Sequence, residues 1–149
     1  KRWRALLSEK EGMGKIVAFH TQNKLLIRAH SEKHYRTLGK WVAEGRKIPT
    51  KELYARYGET LMEGLKLKST RRKNTNVLQH MMGYFKKRLS SDEKQELLEV
   101  MENYRGEVVP LVVPLTLIRH YVRKYDQPYL KEQVYFHPHP MEVMLRNHV

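Results

Sequence analysis

The stretch KNTNVLQHMMGYFKKRL, residues 73–89, predicts an amphipathic helix around which the rest of the chain is organised. Its apolar residues recur at the spacing of one helical face, as in a helix buried on one side. They are Val77, Leu78, Met81, Met82, Phe85 and Leu89. The opposite face carries Lys73, Asn76, His80, Tyr84 and Lys87. Gly83 lies beside this polar stripe, where a missing side chain would let a ligand or another backbone come close.

Basic residues lie at both ends of this stretch. Arg71, Arg72 and Lys73 stand at its start, and Lys86, Lys87 and Arg88 stand near its end. One face is therefore expected to be core, and the other is a candidate site for a polyanion. The alternative is a well-packed central helix with a solvated charged face, because surface helices are commonly amphipathic.

The charge of the whole chain favours an anionic partner. The net charge is +13 and the sequence pI is near 10.0 over 149 residues. The excess of Lys and Arg over Asp and Glu is +8 in residues 1–50, +4 in residues 51–100 and +1 in residues 101–149. Nucleic acid, an acidic protein or a membrane surface would fit such a balance. A membrane is the least favoured, because the basic helices lack an exposed bulky apolar face and no apolar run approaches ~18 residues.

The absence of cysteine excludes several kinds of chemistry within this chain. Disulfides, a thiolate nucleophile, a thiolate zinc site and a cysteine-ligated iron–sulfur cluster all require Cys. The same absence fits a cytoplasmic protein. The sequence has no GxxxxGK phosphate-binding loop, no GxGxxG dinucleotide-binding motif and no nucleophile elbow of the α/β-hydrolase type. His30 with His34, and His137 with His139, lack the scaffold and acidic partners of a known metal signature, so no metal ligands and no catalytic residues are predicted.

The pattern of helix signals predicts an all-α protein, a single compact domain of about six to seven helices. Residues 1–13 are interpreted as a basic leader or interdomain junction, and residues 14–149 as the helical domain. Ser31, Thr50 and Ser90 are candidate N-caps, with Glu93 completing a capping box after Ser90. The remaining predicted boundaries are helix ends near His30, Lys47, Leu67 and Leu89, and a C′ residue at Gly106. A helix start is predicted at Pro110, with Pro114 marking either a kink or a later start. A short helix is predicted over residues 129–136, and residues 141–146 are a further helical candidate.

Several separated motifs resemble the YbgA family, a bacterial helical domain. They are VAFHTQNKLLIRAHSEKHYRTLGKWVAE at 17–44, TNVLQHMMGYF at 75–85, YRGE at 104–107, PLTLIRHY at 114–121 and YLKEQVYFHPHPMEVMLR at 129–146. The resemblance covers residues 14–146 in order. It implies a domain that stands alone or follows a TudS-type desulfidase domain, and the leader KRWRALL is similar to the junction of the fused form, called RudS.

The resemblance also implies a function. In the fused proteins the desulfidase half is associated with removing sulfur from 4-thiouridine in tRNA, and the helical half is taken to bind the tRNA. We therefore expect a tRNA-binding module that positions tRNA for an active site elsewhere. No cofactor is expected in this chain, since an iron–sulfur cluster would belong to the fused or partner desulfidase domain.

The family signatures give residue-level hypotheses. Asn76, His80 and Tyr84 match N-V-L-x-H-x-x-G-Y-F, Arg36 matches Y-R-x-L-G, and Gln133, Tyr135 and Arg146 match the C-terminal motif. Phosphate contacts are expected from Arg36, Lys40, Arg71, Arg72, Lys73, Lys86, Lys87 and Arg88. His80, Tyr84 and Gln133 are expected to approach a base or ribose.

Each signature residue also has a structural interpretation. Asn76 could cap its helix, Gln133 could satisfy a buried backbone group, and Tyr84 and Tyr135 could bury their rings and hydrogen-bond through their hydroxyls. Two other functions stay open as well. One is a stand-alone enzyme using a His80 and Tyr84 pocket, and the other is a protein-interaction module. A deep pocket at His80 would favour the first, and a flat apolar patch the second.

Overall fold

The computed structural model describes residues 12–136, apart from the side chain of Arg46. This part of the chain contains seven α-helices and two short 3-10 helices, and it contains no strand. The α-helices are α1 Met13–His30, α2 Glu32–Ala43, α3 Thr50–Lys66, α4 Arg71–Met82, α5 Ser91–Arg105, α6 Val112–Lys124 and α7 Pro128–Lys131. The 3-10 helices are Gly45–Lys47 and Val134–Phe136. The predicted all-α class and helix number are confirmed.

Contacts between residues divide the chain after Lys68 into two compact units. The first unit contains α1, α2 and α3, which pack against one another. Its buried core consists of Ile16, Phe19, Ile27, Leu38, Leu53, Tyr54, Tyr57 and Leu61. These apolar side chains recur at helical spacing along α1 and α3, and α2 contributes Leu38, with its Tyr35, Trp41 and Val42 packed partly buried against the core.

Local signals set the helix boundaries of the first unit. The side chain of Ser31 accepts a hydrogen bond from the backbone N–H of His34, which caps α2 as predicted. The predicted cap at Thr50 is wrong, because Pro49 is the N-cap of α3 and Thr50 is the first residue of the helix, with no side-chain hydrogen bond at the cap. α2 ends at Ala43 rather than near Lys47, because the chain tightens into the 3-10 turn at Gly45–Lys47.

The second unit is built around α4, which packs against α5 and α6. Val77, Leu78 and Met81 have no exposed surface, Phe85 has almost none, and Met82 is also buried. The predicted apolar face of residues 73–89 is therefore the core face. α5 carries the predicted capping box, in which Ser90 Oγ accepts from the N–H of Glu93 and the Glu93 carboxylate accepts from the N–H of Ser90.

The structure corrects the length of the central helix. α4 ends at Met82, and the chain continues as turns through Arg88 rather than as α-helix to Leu89. The N–H groups of Tyr84, Phe85 and Arg88 donate to carbonyls three residues earlier, which is the tighter 3-10 pattern. Gly83 is the C-cap residue, and glycine is a poor helix continuer because its backbone loses the most entropy on ordering.

Gly106, Pro114 and Pro128 mark three further helix boundaries in the second unit. Gly106 is the C-cap of α5 with φ −83°, and the left-handed conformation falls on the next residue, Glu107, at φ 65°. Gly106 therefore does not serve as the predicted left-handed C′ residue. α6 starts at Val112, so the predicted start near Pro110 is the closer one, and a later start at Pro114 is not observed. Pro114 is the third residue of the helix, where proline removes no intrahelical hydrogen bond. The short final helix starts at Pro128 but covers only four residues before the 3-10 turn.

Among the described helices, none has both the length and the apolar character needed to cross a membrane.

Candidate nucleic-acid interface

Three aromatic side chains form a ladder on the second unit, which we call the aromatic stripe: His80, Tyr84 and Tyr129. The rings of His80 and Tyr84 meet edge to face with centroids 5.6 Å apart. The rings of Tyr84 and Tyr129 are 5.0 Å apart and tilted by 31°. Tyr84 keeps 41% of its surface exposed, and His80 is exposed as well. His80 and Tyr84 therefore offer ring surface to a partner, whereas Tyr129 is half-buried.

Exposed cations stand on either side of His80 and Tyr84 along the sequence. Arg72 precedes these two residues in the first turn of α4, and Lys86 and Lys87 follow them. Among residues 12–136 these three side chains have no carboxylate within salt-bridge distance, so their charge is available to an outside anion. Asn76 is exposed on the same helix and does not cap it, because Thr70 is the N-cap. Lys73 is half-buried.

Arg71 has a structural role that the sequence pattern did not show. Its guanidinium donates to the carbonyl oxygens of Tyr104, at 2.5 Å, and Val109, at 3.3 Å. It also lies 4.7 Å from the centre of the Tyr104 ring and 3.8 Å from a carboxylate oxygen of Glu107. Arg71 thus ties the start of α4 to the end of α5 and uses most of its donors inside the protein.

Arg88 is exposed but also engaged, since its guanidinium donates to the backbone carbonyl of Tyr125. The carboxyl of nearby Glu93 accepts hydrogen bonds from the Tyr125 hydroxyl and from Lys124 as well as from the cap N–H of Ser90. These bonds, led by that from Tyr125, lower the pKa of Glu93 to about 2. This corner of the unit is therefore held together by charge-assisted bonds.

The structure corrects the prediction for two residues. Gln133 and Tyr135 have no exposed surface, so neither side chain can contact a nucleic acid in this conformation. The Tyr135 hydroxyl donates to the Oδ1 of Asn74, which is itself fully buried. Tyr135 therefore has the structural role of the alternative interpretation, since its ring is buried and its hydroxyl is hydrogen-bonded. Arg146, His137 and His139 lie outside the described residues.

A cleft opens between α4 and α5, and we call it the α4/α5 cleft. It consists of two adjoining cavities of about 260 and 550 Å³ that share Thr75, Gln79 and Arg105 in their walls. Gly83 and Lys86 line the smaller cavity together with Lys94. Sequence reasoning singled out Gly83 as a point of close approach, but it missed Gln79, Lys94 and Arg105. Gln79 could have been found as a polar residue between the two faces of α4, whereas the α5 residues carry no local signal.

The first unit carries its own basic surface on α2. Arg36 and Lys40 are exposed there, one turn apart. Arg36 is 3.9 Å from a carboxylate oxygen of Glu32, a distance at which an exposed pair contributes little. Both cations therefore remain candidates for phosphate contact.

His20 is the one strongly perturbed histidine of the described residues. Its Nδ1 is 2.8 Å from the Tyr57 hydroxyl, and its Nε2 is buried without a hydrogen-bond partner. Burial, with a smaller effect of Lys24, lowers its pKa to about 4, and burial raises the pKa of Tyr57 well above its usual range. Both groups are therefore neutral at pH 7, as expected of core residues.

The other described histidines of the first unit have protein partners. His30 Nδ1 donates to the carbonyl of Leu67 at 2.8 Å, and His34 Nδ1 is 2.7 Å from Ser31 Oγ. Within residues 12–136 no group of three or more His, Cys, Asp or Glu side chains is arranged to hold a metal ion.

The chain has recognisable relatives. Residues 24–140 match the family described as "Protein of unknown function (DUF1722)". The chain is also similar to "Uncharacterized protein YbgA" of Escherichia coli (strain K12), at 34% identity over 135 residues, which cover 90% of this chain and 80% of that protein. No solved structure gives a significant match. The family match runs through both compact units and includes all of α4 and the aromatic stripe. This chain therefore belongs to the DUF1722 family, as a YbgA-like member.

Proposed function

We propose that this chain is a tRNA-binding module that positions tRNA for a desulfidase active site on a separate, TudS-type domain. The observation that carries the RNA-binding part is the exposed aromatic stripe flanked by Arg72, Lys86 and Lys87. Unpaired bases stack on aromatic rings, at about 1–3 kcal/mol per base, and phosphates are neutralised by exposed Lys and Arg. Solvent-exposed rings next to unpaired cations combine both requirements.

The net charge of +13 supports the same proposal, because it attracts polyanions over a distance. RNA is a better match than duplex DNA, since the stripe presents rings for unstacked bases rather than a helix side for a groove. The exposed cations of α2, Arg36 and Lys40, supply a second set of phosphate contacts on the first unit.

The link to desulfidation rests on the family resemblance alone. In this proposal the iron–sulfur cluster and the catalytic cysteines belong to the TudS-type domain, fused or separate, and this chain supplies affinity and orientation. Such a pair would work in the cytoplasm, where tRNA is found. The chain has no assigned catalytic residues in this scheme, and His80 and Tyr84 act by stacking and hydrogen bonding.

A titration tests the RNA-binding part directly. Fluorescence anisotropy would compare bulk tRNA with duplex DNA of equal charge at 50 and 150 mM salt. We expect tRNA to bind more tightly than DNA and to stay bound at the higher salt, because stacking is less salt-sensitive than phosphate contact. Equal and strongly salt-dependent binding to both would reduce the proposal to general polyanion affinity.

A matched pair of charge-reversal variants locates the interface. Lys86→Glu/Lys87→Glu changes the net charge by −4 beside the aromatic stripe, and Lys51→Glu/Arg123→Glu makes the same change at exposed positions of α3 and α6. We expect the first double variant to lose at least tenfold more tRNA affinity than the second. Equal losses would mean that only the total charge matters.

A further inference from the structure

The α4/α5 cleft has the size of a small-molecule site. Its two cavities, about 260 and 550 Å³, share the side chains of Thr75, Gln79 and Arg105. Ligand pockets in proteins commonly hold about 300–1,000 Å³. The cleft is therefore large enough for one nucleotide and too small for a stretch of duplex.

One wall of the smaller cavity is apolar. Met82 and Met101 are buried beneath it, and Leu98, which also lines the cavity, leaves 48% of its surface exposed. Methionine side chains adapt to flat rings through their polarisable sulfur. Gly83 completes this wall, and a Cβ built there would meet no atom of another helix within 4 Å. The wall can therefore receive a planar heterocycle.

The floor and one edge of the cleft carry polar groups without partners. Thr75 is buried, and its Oγ1 has no hydrogen-bond partner within the described chain. The amide groups of Gln79 and Asn76 are exposed, and among residues 12–136 they make no side-chain hydrogen bond. An amide offers two donors and an acceptor, which is the pattern needed to read the edge of a nucleobase.

The mouth of the cleft has an excess of positive charge. Arg105 is paired with Glu102 at 2.6 Å, and Arg71 lies 3.8 Å from Glu107. This leaves Arg72, Lys86 and Lys94 as lining cations that have no carboxylate partner among the described residues. Three unpaired cations around a cavity with an apolar wall favour a ligand that is anionic at one end and flat and apolar at the other.

We infer that the α4/α5 cleft binds a single nucleotide, with its base against the wall of Met82, Leu98 and Met101 and its phosphate near Lys86 and Lys94. In this arrangement Gln79 hydrogen-bonds the edge of the base. An inorganic anion would leave the apolar wall unused, and an apolar ligand would leave the cations unused. The nucleotide could be a free mononucleotide or an unpaired nucleotide of a bound tRNA, and in the second case the inference rests on the proposed function.

A cleft-filling variant tests the inference. Gly83 has right-handed helical angles, φ −57° and ψ −25°, which leucine also adopts, and Gly83→Leu adds a side chain at the lining of the smaller cavity. A Cβ there lies 3.2 Å from the backbone carbonyl oxygen of His80, so the turn must shift by a few tenths of an ångström, and thermal unfolding of the variant is measured alongside binding. Gln95→Leu is the matched control, since Gln95 is exposed on α5 and lines neither cavity. Lys94→Ala is a second test variant, at an exposed position where folding is not at risk.

Isothermal titration with the four ribonucleoside monophosphates and anisotropy with tRNA distinguish the two sources. If mononucleotides bind, Gly83→Leu should weaken that binding at least tenfold and Gln95→Leu should leave it unchanged. This result would support the inference with a free mononucleotide as the ligand. If mononucleotides do not bind, a tenfold loss of tRNA affinity in Gly83→Leu alone, at constant salt slope, would support it with an RNA nucleotide. Lys94→Ala should weaken the same ligand about three- to tenfold in either case.

The failures are also distinguishable. Unchanged tRNA affinity in both Gly83→Leu and Lys94→Ala, with no mononucleotide bound, would overturn the inference and leave the proposed function standing. Mononucleotide binding without any tRNA binding would support the inference and remove the proposed function.

Discussion

The hydroxyl of Tyr135 donates a hydrogen bond to the Oδ1 of Asn74 across 2.5 Å, and neither residue has exposed surface. Asn74 Nδ2 in turn donates to Ser69 Oγ at 2.9 Å and to the carbonyl of Thr70 at 3.0 Å. The C-terminal signature tyrosine is thus bonded to the first turn of α4, 61 residues earlier. The bond explains why an aromatic residue with a polar tip occupies a core position.

Replacing Tyr135 by Phe should therefore destabilise the fold and leave RNA binding alone. The substitution leaves the side-chain Oδ1 of Asn74 buried without the hydrogen bond from Tyr135, which lowers the free energy of unfolding by about 1–3 kcal/mol. Urea denaturation would measure the loss, and tRNA anisotropy at a temperature where the variant is folded would measure binding. A variant of normal stability with weakened tRNA affinity would return Tyr135 to the interface.

Arg71 and Arg72, adjacent in sequence, should behave in opposite ways. Arg71→Ala removes the hydrogen bonds to Tyr104 and Val109 and the contact with the Tyr104 ring, so we expect a loss of about 1–3 kcal/mol of stability. Arg72→Ala removes only an exposed cation and should change the stability by less than about 0.5 kcal/mol while lowering tRNA affinity.

Thermal unfolding and tRNA titration of the two single variants check this pair. The contrast has a practical consequence, because reversing Arg71, Arg72 and Lys73 together would confuse unfolding with loss of binding. Equal melting temperatures for the two variants would contradict the structural role of Arg71.

The contributions of base stacking and of phosphate neutralisation to tRNA affinity should differ in how they depend on salt concentration. Tyr84→Ala removes the exposed ring between His80 and Tyr129, and we expect tRNA affinity to fall about 5- to 150-fold with no change in the salt slope. Lys87→Ala should lower the magnitude of that slope by about 0.7–0.9, because one fewer phosphate is neutralised. Affinities at four salt concentrations give both quantities. A changed slope in Tyr84→Ala would show that its effect is indirect.

His20 should make the stability of the first unit depend on pH. Its pKa is about 4 in the folded chain and near 6.5 when exposed, so between these values the unfolded chain binds a proton that the folded chain does not. The stabilisation is fully present above pH 6.5 and is lost as the pH falls through 4, by at most about 3 kcal/mol.

Denaturation of the wild type and of His20→Gln at pH 7, 5.5 and 4 would measure this contribution. Glutamine does not titrate, so the variant should lose less stability on acidification. The difference between the two curves isolates His20 from the carboxylates, which titrate in both. If the stability of both proteins falls equally with pH, His20 does not contribute to the pH dependence.

The features that depend on local sequence were predictable. The apolar spacing of residues 73–89 gave the buried face of α4, and Ser31, Ser90 and Glu93 gave caps that the structure contains, because each needs only residues within one turn. The helix end at Met82 was missed, since the apolar spacing continues through Phe85 and Leu89 although the backbone changes at Gly83.

The features that depend on distant packing were not predictable. The buried hydroxyl of Tyr135 is hydrogen-bonded to a helix 61 residues earlier, and no local pattern separates a buried signature tyrosine from a stacking one. The α4/α5 cleft needs Gln79 from one helix and Lys94 from another, and their approach depends on how α4 and α5 pack. The roles of His80 and Tyr84 in binding stay predictions.

The first turn of α4 contains Arg71, Arg72 and Lys73 and no acidic residue. The backbone N–H groups at a helix start favour negative charge, so cations there are repelled by the helix dipole. A bound phosphate would relieve this repulsion. The empty protein should accordingly be the less heat-resistant form, and its melting temperature should rise on adding tRNA, in proportion to the logarithm of the ligand concentration once binding is saturated. The same electrostatic repulsion at the start of α4 would then favour RNA binding and lower the melting temperature of the tRNA-free protein.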